Sequence, residues 1–501
     1  MPLLFALFGL SAIGEASALE CGTPVFFEDI RRAVPQPAVT PPPSSGKAER
    51  EAHGGCAGSH TTDNFIVKWG QDAPPAEADL DLIVSALETA WQYQLNQMDH
   101  AHPYGSDTHL FNVYVGDSGD CAPSAMGMGG YYTVDPDGWP MIVLSQGVFD
   151  NPDYGRTTVA HEFYHAVQHA EQAYLNDPAA QWWWEATAMW VEGEVYPATT
   201  DYFVFLYGYA FEPHRQLNSY TYPSQGLLEE YHQYGAAIWP RYLTEFVTES
   251  DTIRDSWSAA GPNDDPMEVL TDLMGEDLAP HFADFAAHNA TWDYFHGDEI
   301  AEWLDYISDA YGYGAQDRRL VETLDYSGTG GEWAEPPAVS LPHRYGYNVI
   351  RVRRPQEGAV TVRFRGDAIG SEGSPSEWAV RVVRELSQRV EYETMELVDG
   401  EGEVTLDVLG TEQALYVVSS VVSPAWNDAE TFDYQYQVST GAAPPSSDDG
   451  DPGAPDTPLA IGGADSDEKA GCQCASSPTV APRWAWAVLV PLLGWLRRDP
   501  R

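Results

Sequence analysis

The spacing of apolar residues divides this chain into a helical middle and a strand-rich later part. Leu80, Val84, Leu87, Trp91, Leu95 and Met98 recur every three or four positions, which predicts one helix over residues 77–98. Residues 65–69 and 140–145 are short apolar runs of strand length, and residues 110–115 alternate as a strand does. Residues 126–130 read as a Gly-rich turn. Residues 156–174 contain no internal Gly or Pro and predict a helix. A turn at Asn176-Asp177-Pro178 and a second helix over 182–195 follow, and the helical pattern continues over 226–247 and 281–289. The pattern changes near residues 330–337. Beyond it, 347–352, 359–364, 378–383, 403–408, 414–421 and 432–438 read as six strands separated by Gly, Asp and Ser, which predicts a β-sandwich. The expected fold class is therefore α+β: a mixed sheet with helices over 61–335, then an all-β sandwich over 336–441.

The flanks are different in kind. Residues 19–60 are rich in Pro, Ala and Gly and read as a linker or propeptide remnant, and residues 442–470 are a polar, acidic linker with too little apolar surface to fold. Residues 1–18 read as a signal peptide, with an apolar run over 3–13 and a small-x-small cleavage site at Ala16-Ser17-Ala18, although no Lys or Arg precedes the run. There is no internal repeat. A net charge of −51, from 25 Lys+Arg against 76 Asp+Glu, argues against a nucleic-acid partner, because phosphate contacts need a basic surface. It also keeps the main body off an anionic membrane. Export implies an oxidising compartment, so a bridge among Cys21, Cys56 and Cys121 is expected, and Cys56–Cys121 is the pair chosen. With no Cys-x-x-Cys pair, a thiolate zinc site is not expected. Asp135-Pro136-Asp137-Gly138 is a weak candidate for a structural calcium turn.

The candidate chemistry lies in His161-Glu162-Phe163-Tyr164-His165. On a helix, histidines four residues apart project from adjacent turns of one face and reach one metal ion, while the glutamate beside the first is placed to take a proton from water. A catalytic zinc needs a third protein ligand and an open fourth position. A third histidine six residues past His165 is ruled out, because Gln168 and Glu171 stand where Gly and His would be. His169 has drifted around the helix axis and reads as a solvated polar residue. Glu185, twenty residues beyond His165, is the choice for a carboxylate ligand returned by the second helix, with Ala186 and Ala188 allowing close approach and the neighbouring tryptophans packing it. Glu192 and Glu194 have the reach to replace it. Glu192 lies one heptad on from Glu185, on nearly the same face, and its expected role is to orient a ligand histidine or simply to lie on a solvated face.

In these residues the chain resembles the gluzincin metallopeptidases, in which a Trp- and Glu-containing helix about twenty residues after H-E-x-x-H carries the third ligand. The resemblance implies a zincin-like domain, a Zn2+ cofactor held by His161, His165 and Glu185, and Glu162 as general base. More closely, the chain is similar to a family of secreted bacterial proteins read as metalloproteases, through Gly130-Tyr131-Tyr132-Thr133, Met141-Ile142-Val143-Leu144, residues 158–168, the Glu185 segment and Tyr234-Gly235. The likeness spans residues 65–440 and implies proteolysis. In such a fold, the edge strand just before the active helix pairs with the substrate backbone, and Met141, Ile142, Val143 and Leu144 are the residues expected there. A Tyr or His donor assists the developing oxyanion. His232 and Tyr234 lie in the right region, and the family's Tyr-Gly pattern selects Tyr234.

Residues 471–501 hold Cys472 and Cys474, a short apolar run and terminal arginines, and resemble the myxobacterial C-terminal sorting tag. That implies a secreted protein anchored at the outer cell surface through this tag, its only membrane association, with a protein or peptide substrate as partner. The alternative from another class is a non-catalytic surface adhesin or scaffold on the same fold, which loss of the base or a ligand would mark.

Overall fold

The structure is a computed structural model, and it describes residues 21–33, 46–50, 53–221, 227–423 and 429–440. The stretch read as a signal peptide, the acidic linker and the tail with Cys472 and Cys474 lie outside these residues, whereas much of 19–60, expected to be a linker, is folded, with Cys21, Phe27 and Ile30 in the core. Every described residue belongs to one unit ending at Pro444.

The first described segment makes a bridge between Cys21 and Gly130, a tight turn at Thr23–Phe26 and a short helix α1 (Phe27–Arg32). Next come β1 (Gly58–Thr61), β2 (Phe65–Trp69), α2 (Glu77–Trp91), β3 (Phe111–Val115), β4 (Gly130–Val134) and β5 (Pro140–Leu144). These five strands form one sheet in the order β1-β2-β3-β5-β4. Strands β2, β3 and β5 are parallel, while β1 and β4 pair antiparallel at the two edges. Here the sequence expectation is corrected. Met141, Ile142, Val143 and Leu144 are the middle of β5, hydrogen-bonded on both sides and fully buried, so no peptide can add there. The edge is β4, whose GYYTV follows the Gly-rich turn. Cys56 and Cys121 form a disulfide that ties the loop before β1 to the β3–β4 connection.

Helix α3 (Pro152–Glu171) lies against β4 and β5 and packs on α2. Asn151 caps it by accepting from the N–H groups of Asp153 and Tyr154, and Pro152 occupies the first turn, where its missing N–H costs nothing. The helix begins one turn before the predicted start because Gly155 belongs to it. A Cβ there would stand 2.6 Å from the Phe149 ring, so Gly155 is a close-approach site. Helix α4 (Gln181–Val195) returns against α3, with Trp182, Trp183, Trp184 and Trp190 all buried and Ala186 and Ala188 fully covered.

The stretch predicted as one helix over 226–247 is broken. After the short α5 (Tyr207–Ala210), helix α6 (Leu227–Gly235) ends where a Cβ on Gly235 would meet the Tyr209 backbone nitrogen at 2.8 Å. Helix α7 (Ile238–Tyr242) then carries Pro240 in its first turn. Four more helices complete this half: α8 (Ser250–Ser258), α9 (Pro266–Met274), α10 (Leu278–Asn289) and α11 (Gly297–Ala310). Only α10 was read from the sequence. Among the described residues no helix is long and apolar enough to cross a membrane.

The later strands are β6 (Glu322–Leu324), β7 (Gly346–Arg353), β8 (Gly358–Gly366), β9 (Glu377–Leu386), β10 (Arg389–Met395), β11 (Leu397–Val398), β12 (Glu401–Val408), β13 (Ala414–Val422) and β14 (Tyr434–Thr440). They form sheets β10-β9-β13-β7-β6 and β11-β12-β8-β14, and Val360, Val362, Phe364, Val380, Val382 and Val417 are among the residues filling the core between them. Helix α10 packs on β9 and β13, so Tyr345, Tyr347, Val383 and Val418 belong to the same core as the helices, and Asn289 donates to the Tyr347 hydroxyl at 3.1 Å. The sandwich is therefore fused to the helical half through a shared core.

Candidate metal centre

Four residues per step on α3 bring His161 and His165 onto one face, their ring centroids 4.8 Å apart. From α4, the Glu185 Oε2 atom meets both Nε2 atoms, at 3.3 Å from His161 and 3.6 Å from His165. The remaining imidazole nitrogens are held from behind. His161 Nδ1 pairs with Glu192 Oε1 at 2.8 Å, and His165 Nδ1 pairs with Gln168 Oε1 at 2.7 Å. Gln168 is fixed in turn, donating to the Trp184 carbonyl at 2.9 Å and the Thr187 hydroxyl at 3.0 Å. Both histidines thus present Nε2 to one point, the arrangement that outer partners give metal-ligating imidazoles.

The spacing fits a metal ion. A tetrahedral ion with bonds of about 2.0–2.1 Å sets its nitrogen and oxygen donors roughly 3.3–3.4 Å apart. The charge fits as well. Glu162, Glu185 and Glu192 are all buried here around two imidazoles, and a divalent cation would offset two carboxylate charges while leaving both imidazoles neutral as ligands. Burial works against the Glu185 charge, yet the adjacent His165 and His161 rings outweigh it and hold this carboxyl at about 2.

One donor was not anticipated. The Cys21 Sγ atom lies 3.4 Å from His165 Nε2 and 3.5 Å from Glu162 Oε2. Cys21, His161, His165 and Glu185 form a buried group able to hold a metal ion, with all four ligand atoms within 4.8 Å of one another. The lack of a local cysteine pair argued against a thiolate site; the structure places a thiol here because Cys21 arrives from 140 residues before His161.

Glu162 sits beside the cluster without joining it. Its Oε2 accepts from the Thr23 hydroxyl at 3.1 Å, its Oε1 is buried without a hydrogen-bond partner, and burial raises its pKa above the usual carboxylate value. A Cβ on Gly130 would stand 3.1 Å from Glu162 Cγ, so the first residue of the edge strand has to be small. Tyr234, from α6, reaches the same cleft, with its ring 6.5 Å from that of His161 and its hydroxyl donating to the Cys21 carbonyl at 3.2 Å. His232, two residues earlier on α6, packs on Tyr209 and does not line the cleft.

The other candidates fall outside. Glu194 pairs with Arg241 at 3.5 Å and with the Tyr93 hydroxyl. His169 is buried, against the expectation of a solvated residue, because the Tyr132 hydroxyl meets its Nδ1 at 2.7 Å beneath the sheet, and burial lowers its pKa to about 4. The Asp135 turn uses its carboxylate on the N–H groups of Asp137 and Trp139, with Arg50 at 3.4 Å, which is an internal cation in place of calcium.

Asp201, buried next to this region, gives a prediction. Burial, then the negative charges of Glu192 and Asp153, raise it from 3.8 to about 7. The folded state thus binds this proton more tightly than the unfolded chain, and stability falls as pH rises from about 4 through 7. The advantage of Asp201→Asn in a thermal melt should grow between pH 5 and pH 8, by about 2 kcal/mol. An advantage that stays flat or shrinks over that range would show that Asp201 is not the buried acid.

Residues 48–440 match the model of a family of unknown function, DUF6055. No curated protein matches the chain. The matched stretch contains His161, Glu162, His165, Glu185 and Tyr234, while Cys21 precedes it.

Proposed function

We propose that this chain, which belongs to the DUF6055 family, is a zinc-dependent endopeptidase with a zincin-like domain, exported and held at the outer cell surface. The observation that carries the reading is the meeting of His161, His165 and Glu185, with Glu185 Oε2 at 3.3 and 3.6 Å from the two Nε2 atoms and a buried glutamate beside them. Two nitrogens and a carboxylate oxygen suit zinc. When bound, zinc would supply Lewis acidity to the scissile carbonyl and lower the pKa of water at the site. Glu162 takes the proton from the attacking water and returns it to the leaving amine, a role suited to a carboxyl raised by burial. Tyr234 donates its hydroxyl to the oxygen on which charge develops. The substrate backbone lies along β4, the edge strand of the sheet.

The test is digestion of casein and a peptide library by full-length protein, in wild type and in a Cys21→Ser variant that takes the thiol out of the site. Cleavage should stop on removal of the metal with a chelator and return with added zinc. Cleavage that survives complete removal of metal would overturn the reading. Zinc bound without cleavage in either protein would favour the adhesin alternative.

A further inference from the structure

We infer that residues 21–27 are a built-in inhibitor of this site, with Cys21 as a fourth, displaceable ligand to its metal. The inference rests on the zinc reading above. It begins from the fact that each group assigned to catalysis has its partner in three consecutive residues. The Cys21 sulfur lies 3.4 Å from His165 Nε2, where a tetrahedral ion bonded to sulfur at about 2.3 Å would place it. The Cys21 carbonyl takes the Tyr234 hydroxyl at 3.2 Å, the donor proposed for the oxyanion. The Thr23 hydroxyl donates to Glu162 Oε2 at 3.1 Å, so the base is engaged by the segment.

The backbone of the same segment lies on the edge where a substrate would add. Gly22 N–H donates to the Gly130 carbonyl at 2.7 Å, and the Tyr132 N–H donates to the Thr23 hydroxyl at 2.9 Å. The fit is close: a Cβ on Gly22 would stand 2.4 Å from Met128 Sδ. The segment is then pinned from outside the cleft. Phe26 stacks on Tyr131 at 4.5 Å, Phe27 meets Trp184 edge-on at 5.2 Å, and Ile30 is fully buried. On binding, the Cys21 thiol gives its proton to solvent and its sulfur takes the position an attacking water needs. Thr23 keeps Glu162 occupied meanwhile. Signal cleavage after Ala18, as the sequence predicts, would leave Cys21 as the third residue of the exported chain, close to an end that proteolysis can reach.

The experiment uses the full chain loaded with cobalt(II) in place of zinc, as wild type and as Cys21→Ser. Wild type should bind one cobalt per chain and show near-ultraviolet sulfur-to-cobalt absorption. The serine variant should bind one cobalt, lack that absorption and cleave peptide at least ten-fold faster. Peptide mass spectrometry should also find Cys21 alkylated slowly by iodoacetamide in the metal-loaded wild type and quickly once a chelator is added. Absence of the sulfur-to-cobalt absorption, or no gain in turnover in the serine variant, overturns the inference while leaving a cobalt-loaded, peptide-cleaving wild type as support for the zinc reading. Failure of both proteins to bind cobalt overturns that reading as well.

Discussion

Replacing Glu162 with Gln should leave a folded, metal-loaded protein that cleaves peptide about a hundred- to ten-thousand-fold more slowly, the usual cost of losing a general base. The substitution is nearly isosteric and keeps helix propensity close to that of Glu. It removes a buried carboxylate that touches neither imidazole nitrogen and whose Oε1 has no partner. The change in packing is therefore small and the change in chemistry large. Turnover should be measured in both the wild-type and the Cys21→Ser backgrounds, with metal content and a thermal melt alongside. Wild-type rates in the variant would remove Glu162 from the mechanism. Loss of metal together with activity would make it a structural residue.

The second large effect separates Glu185 from Glu192. Both are buried on α4 and both touch His161, but on opposite sides of the ring: Glu185 at Nε2 and Glu192 at Nδ1. Glu185→Ala leaves two nitrogen ligands and should abolish stoichiometric zinc in the purified protein. Glu192→Ala should leave the ligand set intact and weaken affinity by about ten- to a hundred-fold, the usual cost of removing a partner that orients a ligand. Competition with a chromophoric chelator measures both. If the two losses come out in the opposite order, Glu192 is the ligand and the geometry on α4 has been misread.

What was legible in the sequence follows from the range of the interactions. His161, Glu162 and His165 sit within one helical turn, so periodicity alone places them. Glu185 needed only one helical hairpin more. The sandwich strands with buried alternation, such as β8, or a continuous buried run, such as β13, were visible, whereas β10 (RVEYETM) was not, because it is an edge strand with charged residues on its open surface. Which strand forms the sheet edge could not be read at all. Both β4 and β5 are apolar and buried, and the difference between them lies in pairing partners distant in sequence. His169 failed for a related reason. Its polarity suggested solvent, and only the three-dimensional position of Tyr132 shows what satisfies it. Cys21 was the hardest case, since nothing near it in sequence resembles a metal site.

The long reach of Cys21 bears on when the site can be closed. Its partners are 141, 144 and 213 residues downstream, at Glu162, His165 and Tyr234. The ribosome makes this segment before any of them. It then waits through the folding of the sheet edge, α3, α4 and α6, because contacts so distant along the chain come only after the local elements exist. A partly made chain has neither an assembled centre nor a blocked one. On the proposed reading, competence and latency would arise together, at the last step of folding, with no interval in which a nascent chain carries an open peptidase site.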